Sequence, residues 1–137
     1  MSIGKKAAFR SAVTVAALMF GSFVAPAVAK APELAMLDGL TDGAWALDYH
    51  GVAKNDRLCV HHGRELIQLR HRTSQCSRYV VEDQPNLVTV QYTCPGDGYG
   101  RTSIRRETPA LVQIDSQGIE NGMPFHLAAE ARRVAAC

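Results

Sequence analysis

The sequence predicts a mainly β domain: a single antiparallel meander bent into a strongly curved sheet or small barrel, with one short helix near residues 63–72. Three observations carry that prediction. Apolar side chains alternate with polar ones in seven separate stretches, the period of a half-buried strand. Turn residues punctuate those stretches, leaving loops short enough for hairpins. Only one segment, 63–72, spaces its apolar residues for an amphipathic helix of two to three turns.

Taken in order, Lys30–Pro32 is a lead-in and Glu33–Leu37 has room for one helical turn before Asp38-Gly39. Trp45, Leu47 and Tyr49 share one face of a strand closed by Gly51. Asn55-Asp56 signals a turn before a short strand, Arg57–Val60. Leu66, Ile67 and Leu69 lie among Arg, Glu and Gln in the helical segment. Tyr79-Val80-Val81 runs into the turn Asp83-Gln84-Pro85-Asn86, and Val88, Val90, Tyr92 and Cys94 fall on one face of the next strand. Gly96-Asp97-Gly98-Tyr99-Gly100 looks like a phosphate loop, but it joins strand to strand and opens no helix, so it reads as a hairpin turn. Arg101–Glu107 and Leu111–Asp115 follow, with Gln117–Gly122 carrying two glycines beyond them. In the last strand Phe125, Leu127, Ala129 and Ala131 alternate against His126, Ala128, Glu130 and Arg132. Residues 38–137 are thus expected to form one domain, large enough for a core of its own.

Residues 1–29 read as a cleaved secretory leader. Lys5, Lys6 and Arg10 precede an apolar run over Ser11–Val24, and Ala27-Val28-Ala29 supplies the small-x-small cleavage pattern, with cleavage after Ala29. The run is too short to span a bilayer, so no membrane anchor is expected in the mature chain. With the leader go three of the fifteen Lys and Arg residues, leaving twelve against thirteen acidic ones, a net charge of −1. A near-neutral domain lacks the basic footprint of a nucleic-acid partner. Periplasmic export is the expected fate.

All four cysteines, Cys59, Cys76, Cys94 and Cys137, follow the leader, and an even count in an oxidising compartment implies two disulfides. In a plain meander Cys76 opens one strand and Cys94 ends the next, so both lie at the same end of the sheet. The last strand finishes at the other end, placing Cys137 roughly 20 Å from Cys94, beyond the roughly 7 Å Cα limit for a bridge. That favours Cys59–Cys137 with Cys76–Cys94. A three-residue loop, Gln84-Pro85-Asn86, would set Cys76 opposite Cys94; a four-residue loop matches the apolar faces better and turns Cys76 away. A bulge or a folded-back tail would restore Cys59–Cys76 with Cys94–Cys137, and that pattern stays open.

No catalytic motif emerges: there is no Gly-x-Ser-x-Gly, no His-Glu-x-x-His and no phosphate loop. Neither a catalytic residue, a metal nor a cofactor is predicted. Cys59, His61, His62, His71 and Cys76 put metal-capable or thiol chemistry within eighteen residues, but without the usual zinc spacings. The histidines, His50 and His126 included, read as solvated, and Trp45 reads as core. Arg106 shares parity with Ile104, and Arg133 with Phe125, Leu127, Ala129 and Ala131, so two arginines end inward-facing rows. If the sheet closed they would line one mouth as a weak anion site; as frayed strand ends their stems would cover apolar surface and their heads meet water.

Several stretches together carry a resemblance. Leu40-Thr41-Asp42-Gly43-Ala44-Trp45 opens the domain, Tyr92-Thr93-Cys94-Pro95-Gly96 closes a hairpin begun at Cys76, Gly100–Glu107 follows, and Glu130-Ala131-Arg132-Arg133-Val134-Ala135-Ala136-Cys137 ends in cysteine. Across roughly residues 38–137 this resembles the bacterial secreted family catalogued as domain of unknown function 3617. Ala135-Ala136 departs from the Arg-x-Gly-x-Cys ending of that pattern. The resemblance implies a small periplasmic β-domain of Gram-negative bacteria and assigns it no reaction, ligand or site residue. The functional expectation is an exported, non-catalytic binding or structural protein with an unknown ligand or protein partner. The alternative is a metal-binding or thiol-dependent protein built on the Cys59–Cys76 cluster.

Overall fold

Period-two alternation resolves into seven strands in the computed structural model, which describes residues 33–137; the leader expected over residues 1–29 lies outside them. A four-residue helix α1 (Ala35–Asp38) precedes β1 (Gly43–Tyr49), β2 (Asn55–Val60), β3 (Ser77–Asp83), β4 (Leu87–Cys94), β5 (Gly98–Thr108), β6 (Leu111–Glu120) and β7 (Met123–Ala135). All pair antiparallel in one sheet of order β2-β1-β7-β6-β5-β4-β3. β3 to β7 form the meander, and the β1–β2 hairpin is added beside β7. The sheet does not close: β2 and β3 are free edges, so the barrel alternative is set aside. Register shifts at Ala44/Trp45, Val80/Glu82 and Arg106/Thr108 interrupt three of the six ladders, and such bulges bend a strand and sharpen its twist.

One face of the sheet carries the core. Trp45, Leu47, Val60, Val88, Val90, Tyr92, Ile104, Val112, Ile114 and Ala131 are buried there. The face is covered by two irregular segments. Leu34, Met36, Leu37 and Leu40 come from the approach to β1, so the core begins before residue 38, in the Glu33–Leu37 stretch. Residues 61–76 run from the β2 edge to the β3 edge across the same face, bringing Leu66, Ile67 and Leu69.

The predicted helix over 63–72 is therefore a correction. Only Arg64–Leu66 is helical, as a 3-10 turn, and turns follow. The reason lies in burial: Leu66, Ile67, Gln68 and Leu69 are four consecutive buried residues, which no single helix face can bury. The segment is fixed to the sheet by hydroxyls instead. Thr102 Oγ1 donates to the Ile67 carbonyl at 2.6 Å and lies 2.7 Å from Ser116 Oγ, which donates to it.

β6 runs on through Gly118, where the sequence suggested a loop. The turn is the two-residue Asn121-Gly122, both at positive φ, the geometry a tight hairpin requires. Gly100 leaves room for Tyr92, whose ring would collide with any side chain there.

Candidate functional site

The two bridges sit at opposite edges. Cys59 on β2 is joined to Cys137, which lies beyond the end of β7, with a Cα separation of 5.9 Å. Ala44 pairs with both Cys59 and Ala135, so this bond reaches over β1. Cys76 is joined to Cys94. The strands are joined by Gln84-Pro85-Asn86, not by the four-residue Asp83–Asn86; next to it Asp83 pairs with Val88, and a bulge at Val81 then brings Ser77 opposite Thr93 and so Cys76 opposite Cys94. No described cysteine is free.

The residues of the proposed metal or thiol cluster are only partly gathered. Ligand atoms of Cys59, His61 and Cys137 lie within 4.8 Å of one another, all exposed. Both sulfurs are already bonded to each other, and a metal needs them as thiolates. Cys76 is at the other edge, and His62 and His71 are elsewhere. His71 corrects the solvated reading: it is buried against Tyr92 and Phe125. Its Nδ1 is hydrogen-bonded to the Tyr92 hydroxyl at 3.1 Å, and its Nε2 is the one buried side-chain nitrogen or oxygen among the described residues with no partner. Burial raises the Tyr92 phenol above its ordinary value, the neighbouring Ser116 hydroxyl opposing it.

Arg106 and Arg133 form no mouth. β5 and β7 continue past them, and both side chains turn to the segment entering β1. Arg133 Nε donates to the Asp42 carbonyl at 2.6 Å, and Arg106 Nη1 lies beside Gly39. Arg133 thus anchors backbone.

A cleft of about 660 Å³ lies instead at the end of the sheet where β1 turns into β2. One wall is that hairpin, with Tyr49, Lys54 and Asp56; the other is the turn segment Leu69–Thr73, and Leu127 of β7 contributes to the floor. Two ion pairs fix the walls. Arg72 Nη2 donates to Asp56 Oδ2 at 2.6 Å and to the Tyr49 hydroxyl at 3.2 Å, and Arg70 pairs with Glu120 at the end of β6. Arg70 also lies over the Phe125 ring, 5.6 Å from its centre. Burial would raise the Asp56 carboxyl, but Arg72 outweighs it and holds the group below the usual carboxylate value; burial does raise Tyr49. These residues come from four separate stretches of sequence, none carrying a motif, so no local signal marks them.

Comparison with family models, with curated proteins and with solved structures returned no match. Among the described residues no helix is long and apolar enough to cross a membrane. Two disulfides fit an oxidising compartment, extracellular or periplasmic.

Proposed function

We propose that this is an exported, non-catalytic binding domain of the periplasm whose ligand occupies the cleft between the β1–β2 hairpin and the Leu69–Thr73 turn. The observation that carries this reading is the cleft itself: its volume of about 660 Å³ is ligand-sized, while the core face is filled by side chains. The non-catalytic part is supported by the pairing of Arg72 with Asp56 and Arg70 with Glu120, which makes these charges wall rather than acid–base machinery. The leader pattern of residues 1–29 supports export, and the resemblance to domain of unknown function 3617 supports the same compartment. The test is native mass spectrometry of protein recovered from the periplasm, wild type beside Thr73→Trp, which puts a bulky ring on the cleft wall. An adduct present in the wild type and absent from the variant is expected; equal adducts, or none in either, would sink the reading.

A second reading is favoured by one observation, the grouping of Cys59, His61 and Cys137. It makes the protein thiol-dependent, binding a metal once that bridge is reduced. Thiol titration with elemental analysis of the purified protein tests it: four blocked cysteines and no zinc or copper end it.

A further inference from the structure

We propose that the ligand of this cleft is a small monoanion with an apolar body, an inference that rests on the binding reading above. The charges of the walls carry it. Asp56 and Glu120 are each taken up by one guanidinium, Arg72 and Arg70 respectively. Lys54 lines the same cleft and forms no ion pair among the described residues; its ammonium lies 5.8 Å from the centre of the Tyr49 ring. The lining therefore holds three fixed cations against two anions, and the uncompensated charge is a single positive one. An anion of one charge balances it; a cation meets three like charges.

The donors are already in position. Each guanidinium offers five N–H groups, and Arg72 and Arg70 direct only Nη2 to their partners, leaving donors for a carboxylate or sulfonate. Their ion pairs hold the side chains in place, so binding need not order them. Apolar groups share the lining with these charges. Leu69 and Leu127 are 7% and 8% exposed within the core cluster, while Val52 stands 60% exposed on the hairpin lip. A ligand with a hydrocarbon body would cover Val52 and rest on the two leucines, gaining burial where the protein alone leaves apolar surface wet.

Octanoate, octan-1-ol and octylammonium, titrated in turn into isotope-labelled protein and followed by backbone amide shifts, test the charge and the site separately. Octanoate is expected to shift the amides of residues 52–56 and 69–73 saturably, with octylammonium leaving them unmoved. Lys54→Gln, an exposed substitution, should weaken octanoate at least tenfold and leave octan-1-ol unchanged. If octan-1-ol and octylammonium move those amides as well as octanoate does, and Lys54→Gln changes nothing, the anion inference is overturned and the cleft reading stands. If none of the three moves them, both fall.

Discussion

The two edges of the sheet are closed by the same covalent bond put to different physical uses. At the β2 edge Cys59 and Cys137 are exposed, 78 residues apart, and their bond passes over β1 to reach the end of β7. At the β3 edge Cys76 and Cys94 are 18 residues apart on adjacent strands, and Cys94 is buried in the core. The first bond closes a long loop and ties an added hairpin to the meander. The second fixes a register that the loop alone would have set one residue off. Each side also has one large buried aromatic, Trp45 on β1 and Tyr92 on β4, and these differ in the same way. Trp45 packs, with its indole N–H satisfied by the Thr41 carbonyl at 3.0 Å, whereas Tyr92 is committed to His71.

Chain entropy ranks the bridges. The replacement Cys59→Ala with Cys137→Ala should cost about 4.5 kcal/mol of unfolding free energy, since stabilisation grows with the loop closed. Trp45→Ala should cost about 3–5 kcal/mol as a large aromatic removed from a filled core. For Cys76→Ala with Cys94→Ala the loop term is about 3 kcal/mol. Denaturant unfolding measures all three, and a larger loss at the short bridge than at the long one breaks the comparison. Tyr92→Phe should cost about 1–3 kcal/mol, because it leaves His71 buried with neither ring nitrogen bonded; an unchanged midpoint would mean that water already serves that imidazole.

The smallest effect is one of pH, and it falls on the β2 side. Burial would raise the Glu65 carboxyl, but the N–H groups of Glu65 itself, His61 and His62 hold it below its ordinary value. A depressed carboxylate contributes stability that is present above its unfolded pKa and lost as pH falls through the folded one. Glu65→Gln should therefore flatten the acid limb of a stability–pH curve by lowering the neutral-pH plateau slightly, the two proteins converging at low pH. A steeper acid limb in the variant would contradict this.

Strand identity was legible because alternation reports which face is buried, and Trp45, Val88, Val90 and Ile104 all fell on that face. The segment 61–76 was not. Its side chains are buried because the chain must cross from one edge to the other, a fact of topology that no local period encodes. His71 shows this best: flanked by Arg70 and Arg72, it reads as surface, yet it is turned inward beneath them. The cleft was illegible for the same reason, since hairpin, turn and strand meet only once the sheet is built. Asn121-Gly122, by contrast, was a readable hairpin signal, obscured by the glycine at 118 that belongs to the strand.

The placement of β1 between β2 and β7 also dictates an order of assembly. The meander from β3 to β7 is joined by hairpins, so each of its strands meets a neighbour close in sequence. The contact of Asp42 with Arg133 spans 91 residues, and β1 has no place in the sheet until β7 exists. On a chain emerging from its N-terminus, the first two strands made are thus the last two docked, the slow non-local step of this topology. Until then Cys59 has no native sulfur to meet, whereas Cys76 and Cys94 are brought together by their own hairpin. Native pairing of Cys59 with Cys137 thus waits on β1 taking its place beside β7.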